Sequence, residues 1–166
     1  HTDVARWRTK LCCRLHALVG ELVPGGIDKE VVVTQARSML DDIVGGDVAA
    51  VERHRQAVEL VDEIEHLDVV LKDSKARITA AVTASGSTLT EIFGVGAVIA
   101  CMLIGDTGEP LRFTTANRYA AYTGTAPVEF SSGGRVMHRL SDRGNRQLNH
   151  AIHMTAIRQL RQPHSE

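Results

Sequence analysis

The chain has 166 residues, a formal net charge of −1 and only 4% aromatic residues, enough for one or two small domains whose cores must come from Ala, Val, Leu and Ile. Cys12, Cys13 and Cys101 form no CxxC pair and are odd in number, which argues against a disulfide framework or a cysteine zinc site and for a reducing compartment. No run approaches the roughly 18 apolar residues of a spanning helix, and no charged-then-apolar signal opens the chain, so no membrane partner is expected.

His1 stands where an initiator Met would, as in a chain with sequence missing upstream or with a tag remnant. Residues 3–22 place Val4, Trp7, Leu11, Leu15, Leu18 and Leu22 at three- and four-residue steps, one apolar helix face, with Pro24-Gly25-Gly26 to end it. Arg6, Arg8, Lys10 and Arg14 give that helix a basic side, either a solvated face or a nucleic-acid contact. A second helix is predicted over 29–43, and Gly45-Gly46 breaks it before Asp47, a ready N-cap.

From 47 to 84 no Gly or Pro interrupts the helical pattern. Ala57, Leu60, Ile64, Leu67, Leu71, Ser74, Ile78 and Ala81 alternate on the two seam positions of a heptad, which predicts a coiled-coil or helical-hairpin arm able to dimerise, or a long helix packed on the first two. Ser85-Gly86-Ser87 then marks the predicted boundary between a helical region, 1–84, and a C-terminal domain, 85–166.

In that domain Thr88 or Thr90 can cap a short helix into Ile92-Phe93-Gly94-Val95-Gly96-Ala97, followed by an apolar helix to Ile104. Helix, Gly-Val-Gly turn, helix is the pattern of a helix-hairpin-helix element, in which Gly94 and Gly96 let backbone N–H groups meet a phosphate; tight packing is the competing explanation. Thr114 or Thr115 caps a helix through Tyr122, ended by Gly124. Tyr119 and Tyr122 read as core, or as a base-stacking face.

Charge is unevenly spread: between 112 and 161 the arginines 112, 118, 135, 139, 143, 146, 158 and 161 face only Glu129 and Asp142. Such a field points to phosphate as partner. Val128-Glu129-Phe130 and Arg135-Val136-Met137-His138 alternate like two short strands, and Ser131-Ser132-Gly133-Gly134 reads as their hairpin turn. A serine hydroxyl becomes a useful nucleophile in a dense positive environment, and guanidinium groups can both hold a phosphodiester and stabilise charge building on its oxygens. Asn145 and Arg146 open the last helix, which buries Leu148, Ile152, Met154, Ile157 and Leu160. His138, His150 and His153 lack an accompanying carboxylate or Cys at ligand spacing, so no metal site is expected in this chain.

The fold expected is mainly α: a long coiled-coil or helical-hairpin arm, then a small helical domain with a helix-hairpin-helix-like element and a short β-hairpin. Ile92 to Ala97, Arg112-Phe113, the run Ala120-Ala121-Tyr122-Thr123-Gly124-Thr125-Ala126-Pro127, Ser131-Ser132-Gly133 and the run from His138 to His150 together resemble the C-terminal half of bacterial insertion-sequence transposases of the Piv/MooV-like class (IS family one-ten). Arg14-Leu15-His16 and Leu22-Val23-Pro24-Gly25-Gly26 resemble the start of the middle helical region of its actinobacterial members. The resemblance implies a DNA transposase or recombinase, bacterial, cytoplasmic and nucleoid-associated, whose catalytic serine forms a phosphoserine link with cleaved DNA, with a guide RNA as a further partner; the homodimer or tetramer is expected through the coiled coil.

Carried over by position, Ser132 beside Gly133 matches that serine best, with Ser131 the near alternative. Arg112, Arg118, Arg135, His138, Arg139, Arg143, Asn145 and Arg146, with Gly94 and Gly96, are the expected nucleic-acid contacts. The resemblance also implies an N-terminal RuvC-like domain holding Mg2+ through four carboxylates. Nothing in the sequence supplies that set: Asp41-Asp42 is a helix-end pair, and Asp62, Glu63 and Glu65 lie along the heptads. A non-catalytic nucleic-acid-binding and dimerising module is therefore the alternative expectation, and a purely helical scaffold the third.

Overall fold

A computed structural model describes residues 1–23, 33–43, 45–131, 133–141 and 143–162, without the side chain of Leu140. Its helices are α1 (Thr2–Leu22), α2 (Val33–Asp41), α3 (Val48–Ala84), α4 (Ala97–Thr107), α5 (Ala116–Thr123) and α6 (Arg146–Leu160), with one hairpin, β1 (Pro127–Glu129) and β2 (His138–Leu140). The protein is mainly α, as its composition and periodicity predict. Among the described residues no helix is long and apolar enough to cross a membrane. The chain forms two compact units, His1–Ala76 and Arg77–Glu166. Their division falls inside α3, eight residues or so before the Ser-Gly-Ser boundary expected at 85, because Ile78 and Val82 belong to the second core.

In the first unit Leu11, Leu15 and Val19 of α1, Ala36 and Leu40 of α2, and Ala57, Val61 and Ile64 of α3 are buried together. α1 runs antiparallel to α3. Arg8 grips Asp68, the Trp7 indole donates to Glu63 at 2.8 Å, and Arg53 pairs with Glu21 at 2.8 Å. α2 is antiparallel to α3 as well, with Arg37 forked onto Glu65 and reaching Asp62, and His54 against the Leu40 carbonyl. Ala57, Leu60, Ile64 and Leu67 thus spend their heptad seam inside the chain. The long helix packed on the first two is what forms, and the seam through Leu67 is not a free dimerisation face. Asp47 caps α3 as expected, accepting from the Ala50 N–H at 2.7 Å. Pro24-Gly25-Gly26 and the expected start of the second helix lie outside the described residues.

The second unit gathers Val82, Val95 and Ala100 with Ile78, Leu89, Ile99 and Leu103. α4 packs closely on α6, with the small side chains of Ala100 and Ala151 fully buried. Thr115 caps α5 through the Arg118 N–H, and Gly124, at φ +71°, closes it in the left-handed conformation that glycine adopts without strain. Leu148 is buried on α6 as expected, but Leu160 is 83% exposed, beyond the reach of the core.

Candidate nucleic-acid interface

The hairpin is shorter in its ladder than its alternation predicts. Pro127, Val128 and Glu129 pair with Leu140, Arg139 and His138, and Phe130 adds one bond, its N–H to the Met137 carbonyl at 2.7 Å. Arg135 and Val136 are exposed within the connection. Gly133 and Gly134 turn it at φ +60° and +80°. This register puts Phe130 diagonal to Arg139 on one face, where the Arg139 guanidinium stacks on the ring at 4.2 Å from its centre. Glu129 and Ser131 share the other face, and the Ser131 hydroxyl donates to the Glu129 carboxylate at 2.5 Å. Ser132, the best-matching nucleophile, lies outside the described residues.

The base of the hairpin is held by a crossing of two backbones. A Cβ placed on Gly144 would meet the Gly124 nitrogen at 2.5 Å. Asn145 N–H donates to the Tyr122 carbonyl at 2.8 Å, and Asn149 Nδ2 to the Gly124 carbonyl at 3.1 Å. The Asn145 side-chain oxygen caps α6, accepting from the N–H groups of Gln147 and Leu148 at 2.9 and 3.0 Å. Its oxygen is thus a structural cap, and Arg146 beside it is exposed in the first turn of α6.

Gly94 also has a structural role. At φ +88°, its missing Cβ would sit 3.2 Å from the Thr155 carbonyl and 3.4 Å from the Arg158 Cβ, so it brings the backbone against α6. Only a 3₁₀ turn, Leu89–Glu91, precedes it, and Thr88 makes no side-chain cap. A one-turn 3₁₀ helix thus stands where the first helix of the expected element would be and leads through the glycine turn into α4, with Gly96 exposed and open at its N-cap.

Tyr119 and Tyr122 are half-buried, with both hydroxyls engaged. Tyr119 hydroxyl meets Thr107 at 2.9 Å, Tyr122 hydroxyl donates to the Asp106 carbonyl at 3.0 Å, and both rings lie about Phe113. Arg112 stacks its guanidinium on Phe113 and Tyr122 at 4.6 and 4.7 Å, holding its plane fixed while the residue remains exposed. Arg118, Arg135, His138 and Arg143 are exposed as well.

The two units treat their arginines differently. In the first, Arg6, Arg8, Arg37, Arg53 and Arg55 are engaged by carboxylates, so much of the basic side of α1 is neutralised within the chain. Hydrogen bonds donated to Glu65 and then to Asp62 push the Arg37 pKa up, and the one donated to Asp68 does the same for Arg8. Among the described residues, none of the eight arginines from 112 to 161 has an ion-pair partner. No lysine occurs from 85 to 166, so every fixed cation between 112 and 161 is a planar guanidinium, the group best matched to phosphate. Among the described residues no three His, Cys, Asp or Glu come together. The Mg2+ that the transposase resemblance implies is expected in its RuvC-like domain.

Residues 86–166 match a family model described as "Transposase IS116/IS110/IS902 family". The chain is 31% identical over 137 residues to the "Insertion element IS110 uncharacterized 43.6 kDa protein" of Streptomyces coelicolor, a match covering 79% of this chain and 30% of that protein. It is 25% identical over 150 residues to the "Probable family 20 transposase" of Pseudomonas aeruginosa, covering 87% of this chain and 44% of the relative. The chain thus spans less than half the length of these two relatives, and its matches to both extend upstream of residue 86. Residues 86–166 are thus similar to the IS116/IS110/IS902 transposase family.

Proposed function

We propose that this chain is the C-terminal part of a DNA transposase of the Piv/MooV-like class, in which the second unit holds DNA and supplies a serine nucleophile. The observation that carries the reading is the set of eight arginines without carboxylate partners among the described residues, grouped about the hairpin and the ends of α5 and α6. Arginines without a carboxylate partner among the described residues gain most from a polyphosphate that releases its counterions on binding.

Ser132 is the proposed nucleophile. Its oxygen attacks a phosphodiester phosphorus, the bond to the neighbouring sugar oxygen breaks, that oxygen leaves as a hydroxyl, and the strand remains on the protein as a phosphoserine. The arginines around the tip would neutralise the equatorial oxygens as charge builds there. A metal-holding RuvC-like domain, a guide RNA and a homodimer or tetramer are parts of the same proposal that lie beyond this chain's described residues.

The test is to incubate the full-length parent protein with its element-end DNA and RNA and look for a protein–DNA adduct that survives denaturation. The adduct is expected with the unmodified protein and lost in Ser132→Ala. The alternative is a non-catalytic nucleic-acid-binding and dimerising module. It predicts salt-sensitive binding with no adduct under any condition.

A further inference from the structure

The arginines nearest the end of the chain lie away from the hairpin sequence and belong to a different surface. Phe93, Gly94, Arg158, Arg161 and Gln162 line a cleft of about 360 Å³, within the ~300–1,000 Å³ typical of small-ligand sites. Its floor is firmly made: Gly94 sits against the Thr155 carbonyl, and Gln159 Nε2 donates to the Phe93 carbonyl at 3.0 Å. Its rim is chemically mixed in a particular way. Phe93 is 43% exposed, and Arg158 and Arg161, three residues apart on one side of α6 and its C-cap, have no ion-pair partner among the described residues.

A lone arginine in the last turn of a helix is accounted for by the helix dipole. That explains Arg158. It does not explain a second guanidinium in the same cleft or an aromatic ring left in water beside both. An exposed ring next to paired guanidinium groups is the combination that takes a base on its face and a phosphate at its edge.

We infer that the cleft between the Phe93–Gly94 turn and the end of α6 binds an unpaired nucleotide of a nucleic-acid strand, with Phe93 against the base and Arg158 and Arg161 on the phosphate. This rests on the reading that the second unit binds nucleic acid, and adds a contact separate from the serine tip. Duplex DNA offers phosphates but no free base face, so the site selects single strands.

The test uses the 166-residue chain with a fluorescent single-stranded oligo-dT, titrated by anisotropy at several salt concentrations, and the same oligonucleotide carrying 5-iodouracil for photo-crosslinking. Arg158→Gln with Arg161→Gln is expected to weaken binding about tenfold and to flatten the log–log salt slope by about 0.7, the contribution of one phosphate. Phe93→Leu is expected to remove a photoadduct that maps to the Phe93 peptide and persists in Arg139→Gln/Arg143→Gln. Circular dichroism melts control for folding, since both cleft arginines are exposed. If Arg158→Gln/Arg161→Gln binds like the unmodified chain while Arg139→Gln/Arg143→Gln is weakened, the cleft is overturned and the reading of the hairpin stands. Equal binding of a duplex with no adduct at Phe93 overturns the single-strand assignment. Absence of binding by the unmodified chain at low salt overturns both.

Discussion

Gly124 and Gly144 touch backbone to backbone, the Cα of one 3.4 Å from where a Cβ on the other would stand, and this crossing ties the two ends of the segment that carries the hairpin. Nothing can be added at Gly144, whose own Cβ would lie 2.5 Å from the Gly124 nitrogen and 2.6 Å from its Cα. Those neighbours are main-chain atoms and cannot step aside as a side chain would. Gly144→Ala is therefore expected to cost about 1–3 kcal/mol, the usual range for overpacking, read from urea unfolding. Gly105→Ala is the control. Gly105 lies inside α4 with open space at its Cβ position, so alanine there is expected to stabilise by about 0.4–1 kcal/mol.

The heptad seam of α3 carries a prediction about assembly. Ile64 is fully buried among α1, α2 and α3 of one chain, so Ile64→Ala opens a cavity and is expected to cost about 2–5 kcal/mol. If the seam joined two chains, that loss would appear as dissociation, and the unfolding midpoint would move with protein concentration. A midpoint shift independent of concentration is expected.

Acid sensitivity of the first unit has a defined source. Hydrogen bonds from Arg55 and then Gln56 hold the Glu52 carboxyl down to about 2, from an ordinary 4.5. A carboxylate lowered on folding contributes stability that is present in full above 4.5 and is lost as the pH falls toward 2. The pair is fully exposed, so its effect is small and salt-sensitive. Glu52→Gln is expected to flatten the acid limb of a pH-dependent melt slightly at low salt, with no difference from the unmodified chain at high salt.

Local chemistry made some of this legible in advance. Asp47 and Thr115 as caps, Gly124 as a helix stop and the long periodic run of α3 each depend on residues within a turn or two of themselves. What α3 packs against depends on Arg8 finding Asp68 sixty positions away, and a heptad pattern is satisfied equally by a partner chain or by α1. The packing of Gly94 is non-local in the same way. Its sequence suits a phosphate turn, but its contacts are with Thr155 and Arg158 on α6. The stack of Arg139 on Phe130 needed the hairpin register, which the Ser-Ser-Gly-Gly turn alone does not set.

That stack suits Arg139 to the proposed phosphate contact, because a guanidinium held on a ring loses less freedom when it binds. Arg139→Gln is expected to weaken DNA binding by the 166-residue chain several-fold and to lower its salt slope by about 0.9 for duplex. Phe130→Leu, which keeps the charge and releases its plane, is expected to weaken binding less and leave the salt slope unchanged. Equal slopes for all three proteins would remove Arg139 from the phosphate contacts.

The two serines at the tip are separated by what Glu129 does. Its carboxylate already takes the Ser131 hydroxyl at 2.5 Å, which fixes that oxygen beside a negative charge, the wrong neighbour for an approaching phosphodiester. A serine so placed can be activated only if the carboxylate removes its proton, and in that case Glu129→Gln would abolish the chemistry along with Ser131→Ala. With Ser132 as nucleophile the outcome reverses. Glu129→Gln removes a repulsive charge from the arginine field, so the adduct formed by the full-length parent on element-end DNA should appear at least as fast as in the unmodified protein. Ser131→Ala should leave it intact, and Ser132→Ala should eliminate it. Loss of the adduct in Glu129→Gln and Ser131→Ala together, with Ser132→Ala still active, would transfer the nucleophile to Ser131 and make Glu129 its base.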